Sequence, residues 1–71
     1  MIDDEIPARV REKLIAYRDA TWAARASYQR QRDAARRGDD ATVDLLEKSR
    51  PDRMLTIDRT RAELDEAVRA W

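Results

Sequence analysis

Four arginines recur at every seventh residue in the first half of the chain: Arg11, Arg18, Arg25 and Arg32. Because seven residues make about two turns of an α-helix, this spacing aligns their guanidinium groups in one row along a helix. We call this set the arginine stripe. Guanidinium groups bind carboxylates and phosphates, so the stripe suits either the charged edge of a contact between helices or a phosphate backbone.

Most catalytic chemistry is excluded by composition, because the chain contains no histidine and no cysteine. Disulfides, zinc sites built on thiolate or imidazole, and nucleophiles activated by histidine all need one of these residues. The single glycine provides no glycine-rich phosphate loop, and the carboxylates lack the Glu-x-x-His pairs of di-iron bundles. We therefore predict no catalytic residue, no metal and no cofactor, and we expect that the protein is not an enzyme.

One segment carries a resemblance to a known enzyme family. Residues 50–61, RPDRMLTIDRTR, are similar to the arginine- and aspartate-bearing second segment of small helical chorismate mutases. The resemblance implies a remote alternative, a small all-α enzyme that binds an anionic substrate through arginines. It covers this segment alone, and the first helix does not end in a lysine as it does in that family.

The composition indicates one small domain, 1–71, without a strong net field, because 15 basic side chains balance 15 acidic ones. A core of this size seldom stabilises a fold alone, so association with another chain is expected. No apolar run approaches the roughly 20 residues of a membrane span. We expect a soluble, cytoplasmic protein without a membrane partner, although the lack of cysteine suits an oxidising compartment equally well.

The single glycine divides the chain into two helical arms. The first helix is predicted over about 5–37 and ends at Gly38, which suits the left-handed conformation that often follows a helix. After a turn at 38–39, Asp39 or Asp40 is expected to cap the second arm. Two arms of equal length joined by so short a turn predict an all-α antiparallel helical hairpin.

Pro51 interrupts the second arm. Proline lacks a backbone N–H and disfavours helix at the residue before it. The arm is therefore either kinked at Pro51 or broken into helices of about 40–48 and 51–70, with Ser49 as the cap of the latter.

Apolar side chains alternate four and three residues apart on both arms, the pattern of two helices packed along their length. Folding the chain at Gly38 sets the two series opposite one another, layer by layer. The predicted seam consists of Val10, Leu14, Tyr17, Thr21, Ala24, Tyr28, Gln31 and Ala35 on the first arm, and of Met54, Ile57, Arg61, Leu64, Val68 and Trp71 on the second.

The arginine stripe follows one half of this seam, and Asp58 and Asp65 occupy the equivalent place on the second arm. Since these edges face one another in an antiparallel pair, Arg18 and Arg11 are expected to reach Asp58 and Asp65. Exposed ion pairs contribute about 0–1 kcal/mol each, so they set orientation more than stability. We interpret the stripe as a charged seam edge, and contact with phosphate or with an acidic protein remains open.

A second apolar set lies off the seam and predicts an interface. It consists of Ile15 and Trp22 on the first arm and Leu45, Leu55 and Ala62 on the second. A two-helix hairpin does not cover two apolar faces, so a second copy forming a four-helix bundle, or a helix of another protein, is expected to cover this one. The predicted function is a non-catalytic protein–protein interaction module: an adaptor, a regulator or an assembly component.

Nucleic acid is the alternative partner. The second half of the first helix is rich in arginine, and Arg30, Arg36 and Arg37 would be its phosphate contacts. Four acidic residues follow within ten positions and fold back beside this segment, which cancels much of its field. Protein–protein interaction is therefore favoured.

Overall fold

The computed structural model describes residues 6–71, which form two α-helices in succession: α1, Ala8–Arg37, and α2, Asp40–Arg69. The helices pack side by side as a hairpin with overall dimensions of 49 × 23 × 11 Å. The predicted all-α hairpin is confirmed. Pro7 occupies the N-cap of α1, and the predicted start of this helix at residue 5 lies outside the described residues.

The turn between the helices has the predicted chemistry. Gly38 adopts the left-handed conformation (φ 73°, ψ 21°), in which an L side chain would be strained. Its N–H and that of Asp39 donate to the carbonyls of Ala35 and Ala34, which closes the last turn of α1. The Asp39 carboxylate caps α2 by accepting hydrogen bonds from the backbone N–H of Thr42 (3.2 Å) and from its hydroxyl (2.7 Å).

Helix α2 continues without a break through Pro51, so the predicted division of this arm into two helices is wrong. Ser49 does not act as a cap: its hydroxyl donates back to Leu46 O at 3.1 Å. Arg53 reaches back across the proline turn and donates to Leu46 O at 2.9 Å and to Ser49 Oγ. Packing of α2 against α1 on both sides of the proline keeps the arm in one helix. The other interpretation, a kink at Pro51, stays a prediction.

Few residues are buried in the seam between the helices. Its buried members are Val10, Ala34, Leu46, Thr60 and Ala67, and no large side chain of the described residues is fully buried. Nine large apolar side chains of the same residues are more than 40% exposed. Such a small core provides little free energy against unfolding when the hairpin is alone.

The predicted seam is wrong in half of its members. Seven of its fourteen members are buried or half-buried as expected: Val10, Tyr17, Thr21, Ala24, Gln31, Ile57 and Leu64. Trp71 is 62% exposed, and the other six are replaced by their immediate predecessors. Four of the six replacing side chains are small, and they allow closer approach of the two backbones than larger side chains would. In the structure Lys13 replaces Leu14, Ser27 replaces Tyr28, Ala34 replaces Ala35, Arg53 replaces Met54, Thr60 replaces Arg61, and Ala67 replaces Val68.

Candidate interaction surface

The side chains displaced from the seam lie together along one long face of the hairpin, which we call the apolar face. Its rims are formed by Leu14, Met54 and Val68, which are 48%, 49% and 47% exposed, and by Tyr28, and the displaced Arg61 lies exposed between Met54 and Val68. Its floor consists of half-buried side chains that also contact the seam, namely Tyr17, Thr21, Ala24, Ile57 and Leu64.

Both helices contribute to the same face. A groove of about 230 Å³ near the turn is lined by Ala24, Tyr28 and Gln31 of α1 and by Arg50, Arg53 and Met54 of α2. Leu14 lies two heptads before Tyr28, and Val68 lies two heptads after Met54, so each pair follows one side of its helix. The apolar face therefore runs most of the length of the hairpin.

The arrangement has a simple geometric description. Neighbouring residues lie about 100° apart round a helix, so replacing every second seam residue by its predecessor moves the apolar stripe by about 50° from the direction of the other helix. On both helices the apolar stripe moves toward the residue that follows each seam position. Because the helices are antiparallel, this brings the two apolar stripes to the same long face of the hairpin. In a four-helix bundle each helix directs its stripe to the bundle centre, about 45° from either neighbour.

The opposite face of the hairpin is polar and is closed by an ion pair. Lys13 Nζ lies 3.3 Å from Glu63 Oε2, joining α1 to α2. On the apolar face itself, at the turn end, Gln31 Nε2 donates at 2.7 Å to Oε2 of Glu47, which lies one heptad before Met54. Sequence reasoning missed both contacts, because it placed Leu14 instead of Lys13 in the seam. The signal for the first contact was present: Lys13 and Glu63 lie at the same height once the chain is folded at Gly38.

The structure places the arginine stripe away from the contact between the helices, and its pairing with Asp65 stays a prediction. Because the seam has turned away from it, the stripe lies along the outer rim of α1, and all four of its arginines are exposed. Arg18 Nε is 3.8 Å from Asp19 Oδ1 of its own helix, and the ion pairs seen among residues 6–71 do not join it to Asp58. The Arg32 guanidinium lies 6.0 Å from the centroid of the Tyr28 ring, a cation–π contact at the rim of the apolar face.

The five predicted interface residues are exposed, but the structure does not bring them together. Trp22 and Ile15 each lie two residues from seam members on either side, so they point away from α2. Leu55 and Ala62 point away from α1 for the same reason, and Leu45 is also exposed on α2. These side chains form two separate outer edges of the hairpin, with Trp22 and Leu55 each 66% exposed.

The predicted phosphate contacts Arg30, Arg36 and Arg37 are exposed near the turn. The nearby Asp39 has a pKa below its ordinary value, first because the Thr42 hydroxyl donates to its carboxylate, then because the Thr42 N–H does so, and also because of the Arg37 charge. In the part of the chain that the structure describes, no group of acidic side chains could hold a metal ion, and neither helix is apolar enough to cross a membrane.

Protein-family models, curated proteins and solved structures were compared with the chain, and none matches it.

Proposed function

We propose that the chain is a non-catalytic protein–protein interaction module, an adaptor, regulator or assembly component, whose apolar face packs against helices of a partner. One observation carries the proposal. Leu14, Tyr28, Met54 and Val68 lie about half exposed or more on one face, while the residues buried in the hairpin's own seam are few: Val10, Ala34, Leu46, Thr60 and Ala67. Fully burying a leucine, valine or methionine side chain contributes about 1.5–3 kcal/mol, so covering this face would add substantially to a small core.

The side chains near the groove do not favour the enzyme alternative. Arg50 and Arg53 are the arginines that line the groove. The Arg53 guanidinium already donates to Leu46 O and Ser49 Oγ, and Arg50 Nη1 is 3.7 Å from Glu47 Oε1. An anionic substrate would therefore compete with acceptors that these arginines already have.

The nucleic-acid alternative rests on Arg30, Arg36 and Arg37, which are exposed. Against it, Arg37 acts on the neighbouring Asp39 carboxylate, and Asp40 lies in the first turn of α2 beside them. The mixed charge at this end suits a protein surface better than a phosphate backbone.

The proposal is tested by site-specific photo-cross-linking with benzoylphenylalanine. At Met54 the probe lies on the apolar face, and at the adjacent Leu55 it lies on the outer edge with similar size and exposure. We expect a discrete cross-linked product from position 54 and little from position 55. Mass spectrometry of the product then identifies the chain that is in contact.

The two positions separate the alternatives. Products from position 55 and from Trp22, without one from position 54, would move the interface to the outer edges. No product from any of the three positions, at concentrations up to those of the cell, would contradict an interaction function.

A further inference from the structure

We propose that a second copy of this chain covers the apolar face, related to the first by a two-fold axis that runs parallel to the helices. The inference rests on the proposed function, because it names the occupant of the same face. The charges along the two rims of the face, and their heights along the hairpin, support this arrangement.

The outer borders of the two rims carry opposite charges, and Arg61 adds one positive charge among the rim residues of α2. Along α1 the apolar face is bordered by the arginine stripe. Along α2 it is bordered by aspartates that are also spaced by multiples of seven residues: Asp44, Asp58 and Asp65. Pro51 occupies the position of the same series between Asp44 and Asp58. We call the three aspartates the aspartate stripe, and all of them are exposed. Within one hairpin the two stripes lie on opposite sides of the apolar face, and among the described residues no ion pair joins Arg18 to Asp58.

The heights of the charges match. The contact between Lys13 and Glu63 fixes which residues of α1 and α2 are level with each other. Arg18 lies five residues beyond Lys13, and Asp58 lies five residues before Glu63, so these two are level. By the same count Arg11 is level with Asp65.

The match extends to the turn end. There the hydrogen bond between Gln31 and Glu47 fixes the register. It places Arg32 within one helical turn of the level of Asp44.

A two-fold axis parallel to the helices brings arginines of one copy next to the aspartates of the other copy that lie at the same height. It keeps every residue at its own height and lays α2 of the second copy over α1 of the first, with the apolar faces between them. The arginine stripe of each copy then lies beside the aspartate stripe of the other, so that the level pairs meet twice in the dimer. Every helix has antiparallel neighbours, as in an up-and-down four-helix bundle.

The competing arrangement is disfavoured by like charges. A two-fold axis perpendicular to the helices would lay α1 on α1 and α2 on α2. The arginine stripe would then face a second arginine stripe, and the aspartates would face aspartates. The available area also suits a dimer: a face 49 Å by 23 Å has a footprint of about 1,100 Å², above the roughly 800 Å² that each partner buries in a typical stable interface.

Charge reversal on one rim at a time tests the arrangement. The first variant combines Arg18→Glu with Arg32→Glu, and the second combines Asp44→Arg with Asp58→Arg. Each variant alone would place like charges together four times in its homodimer. A mixture of the two restores an opposite-charge pair at every one of these places. All four side chains are exposed, so circular dichroism should show unchanged helicity.

Native mass spectrometry, with one variant isotopically labelled, gives the readout. We expect the unmodified protein to be a dimer of its 8.3 kDa chain. Each variant alone should dissociate at least about tenfold more readily, and the mixture should form the mixed dimer in preference to either homodimer. The matched control, Arg30→Glu with Arg59→Glu, changes the same total charge away from both rims and should leave the dimer unchanged.

Three outcomes would overturn the inference. A helical protein that stays monomeric at all concentrations would exclude the second copy, while a cross-link from position 54 to another protein would leave the proposed function standing. A dimer that is equally stable in all variants would exclude the two-fold axis parallel to the helices. So would a mixture that shows no preference for the mixed dimer, and this last result is decisive even if one variant folds poorly alone.

Discussion

At the scale of single residues, the turn is the part of the fold that local chemistry determines most completely. Only Gly38 adopts a positive φ without strain, and Asp39 has an acceptor of the right length for the N–H groups at the start of α2. Both roles depend on neighbours within a few residues, so they were predicted from the sequence and are confirmed. The choice between Asp39 and Asp40 as cap needed the structure.

The Asp39 cap makes stability depend on pH. Its pKa is lowered on folding from an ordinary value of 3.8, so the carboxylate stabilises the fold above about pH 4. This contribution is lost as the pH falls through the folded pKa. We expect wild type to melt at a higher temperature than Asp39→Asn at neutral pH, and the difference to shrink on acidification.

Thermal melts followed by circular dichroism from pH 2 to pH 7 measure this difference. Thr42→Val, which removes the strongest donor to the carboxylate, is the matched control and should reduce the pH dependence without abolishing it. A constant difference between wild type and Asp39→Asn across the series would contradict the cause assigned to the lowered pKa.

At the scale of the helices, the sequence predicted how many there are and how they pair, but not which side of each faces the other. A heptad pattern reports the direction of the apolar stripe, which on both helices lies about 50° from the direction of the other helix. Leu14 and Met54 therefore resemble seam residues although Lys13 and Arg53 occupy the seam. Burial of Lys13 is possible because Glu63 lies opposite, a pairing that the pattern of apolar residues does not show.

Pro51 offers a test at the same scale. Its ring replaces an N–H that would donate to Glu47 O in an uninterrupted helix, and proline inside a helix costs about 3 kcal/mol relative to alanine. We expect Pro51→Ala to raise the free energy of unfolding by up to about that amount, measured by urea denaturation at a fixed protein concentration. Asp52→Ala, one residue further on, serves as the control for loss of a surface side chain. A less stable Pro51→Ala variant would show that the assembled protein needs the backbone shape that proline imposes.

At the scale of the whole molecule, the hairpin's own core is too small to account for the length and regularity of its apolar pattern. The predicted interface residues Trp22 and Leu55 are exposed as expected, yet they lie on two outer edges and not on one patch. The face that the structure leaves uncovered is instead built from the predicted seam. Sequence reasoning placed Leu14, Met54 and Val68 in the seam, because a pattern of spacing does not show which side of each helix faces the other. An interface at Trp22 and Leu55 stays a prediction.

Thermal stability should therefore depend on protein concentration. For a protein that folds as a dimer, a hundredfold increase in concentration stabilises the folded state by about 2.7 kcal/mol at 25 °C. In a domain this small, that shifts the melting temperature by several degrees. Differential scanning fluorimetry between 1 and 100 µM tests this, and Leu14→Gln should abolish most of the dependence. A melting temperature that does not change with concentration would indicate a hairpin stable by itself.

The equal length of the two helices has one further consequence. Both span 30 residues, so the turn closes one end of the rod and Ile6 and Trp71 lie at the other. The two ends of the hairpin are therefore different: one is the turn, and the other carries both ends of the described chain. Two hairpins related by a two-fold axis parallel to the helices have their turns at the same end of the dimer. Any segment joined beyond Trp71 would then leave the other end of the dimer in two copies, side by side. An axis across the rod would send the two attachments in opposite directions, close to 49 Å apart. The choice of symmetry therefore decides whether this small protein would hold two attached segments together or keep them apart.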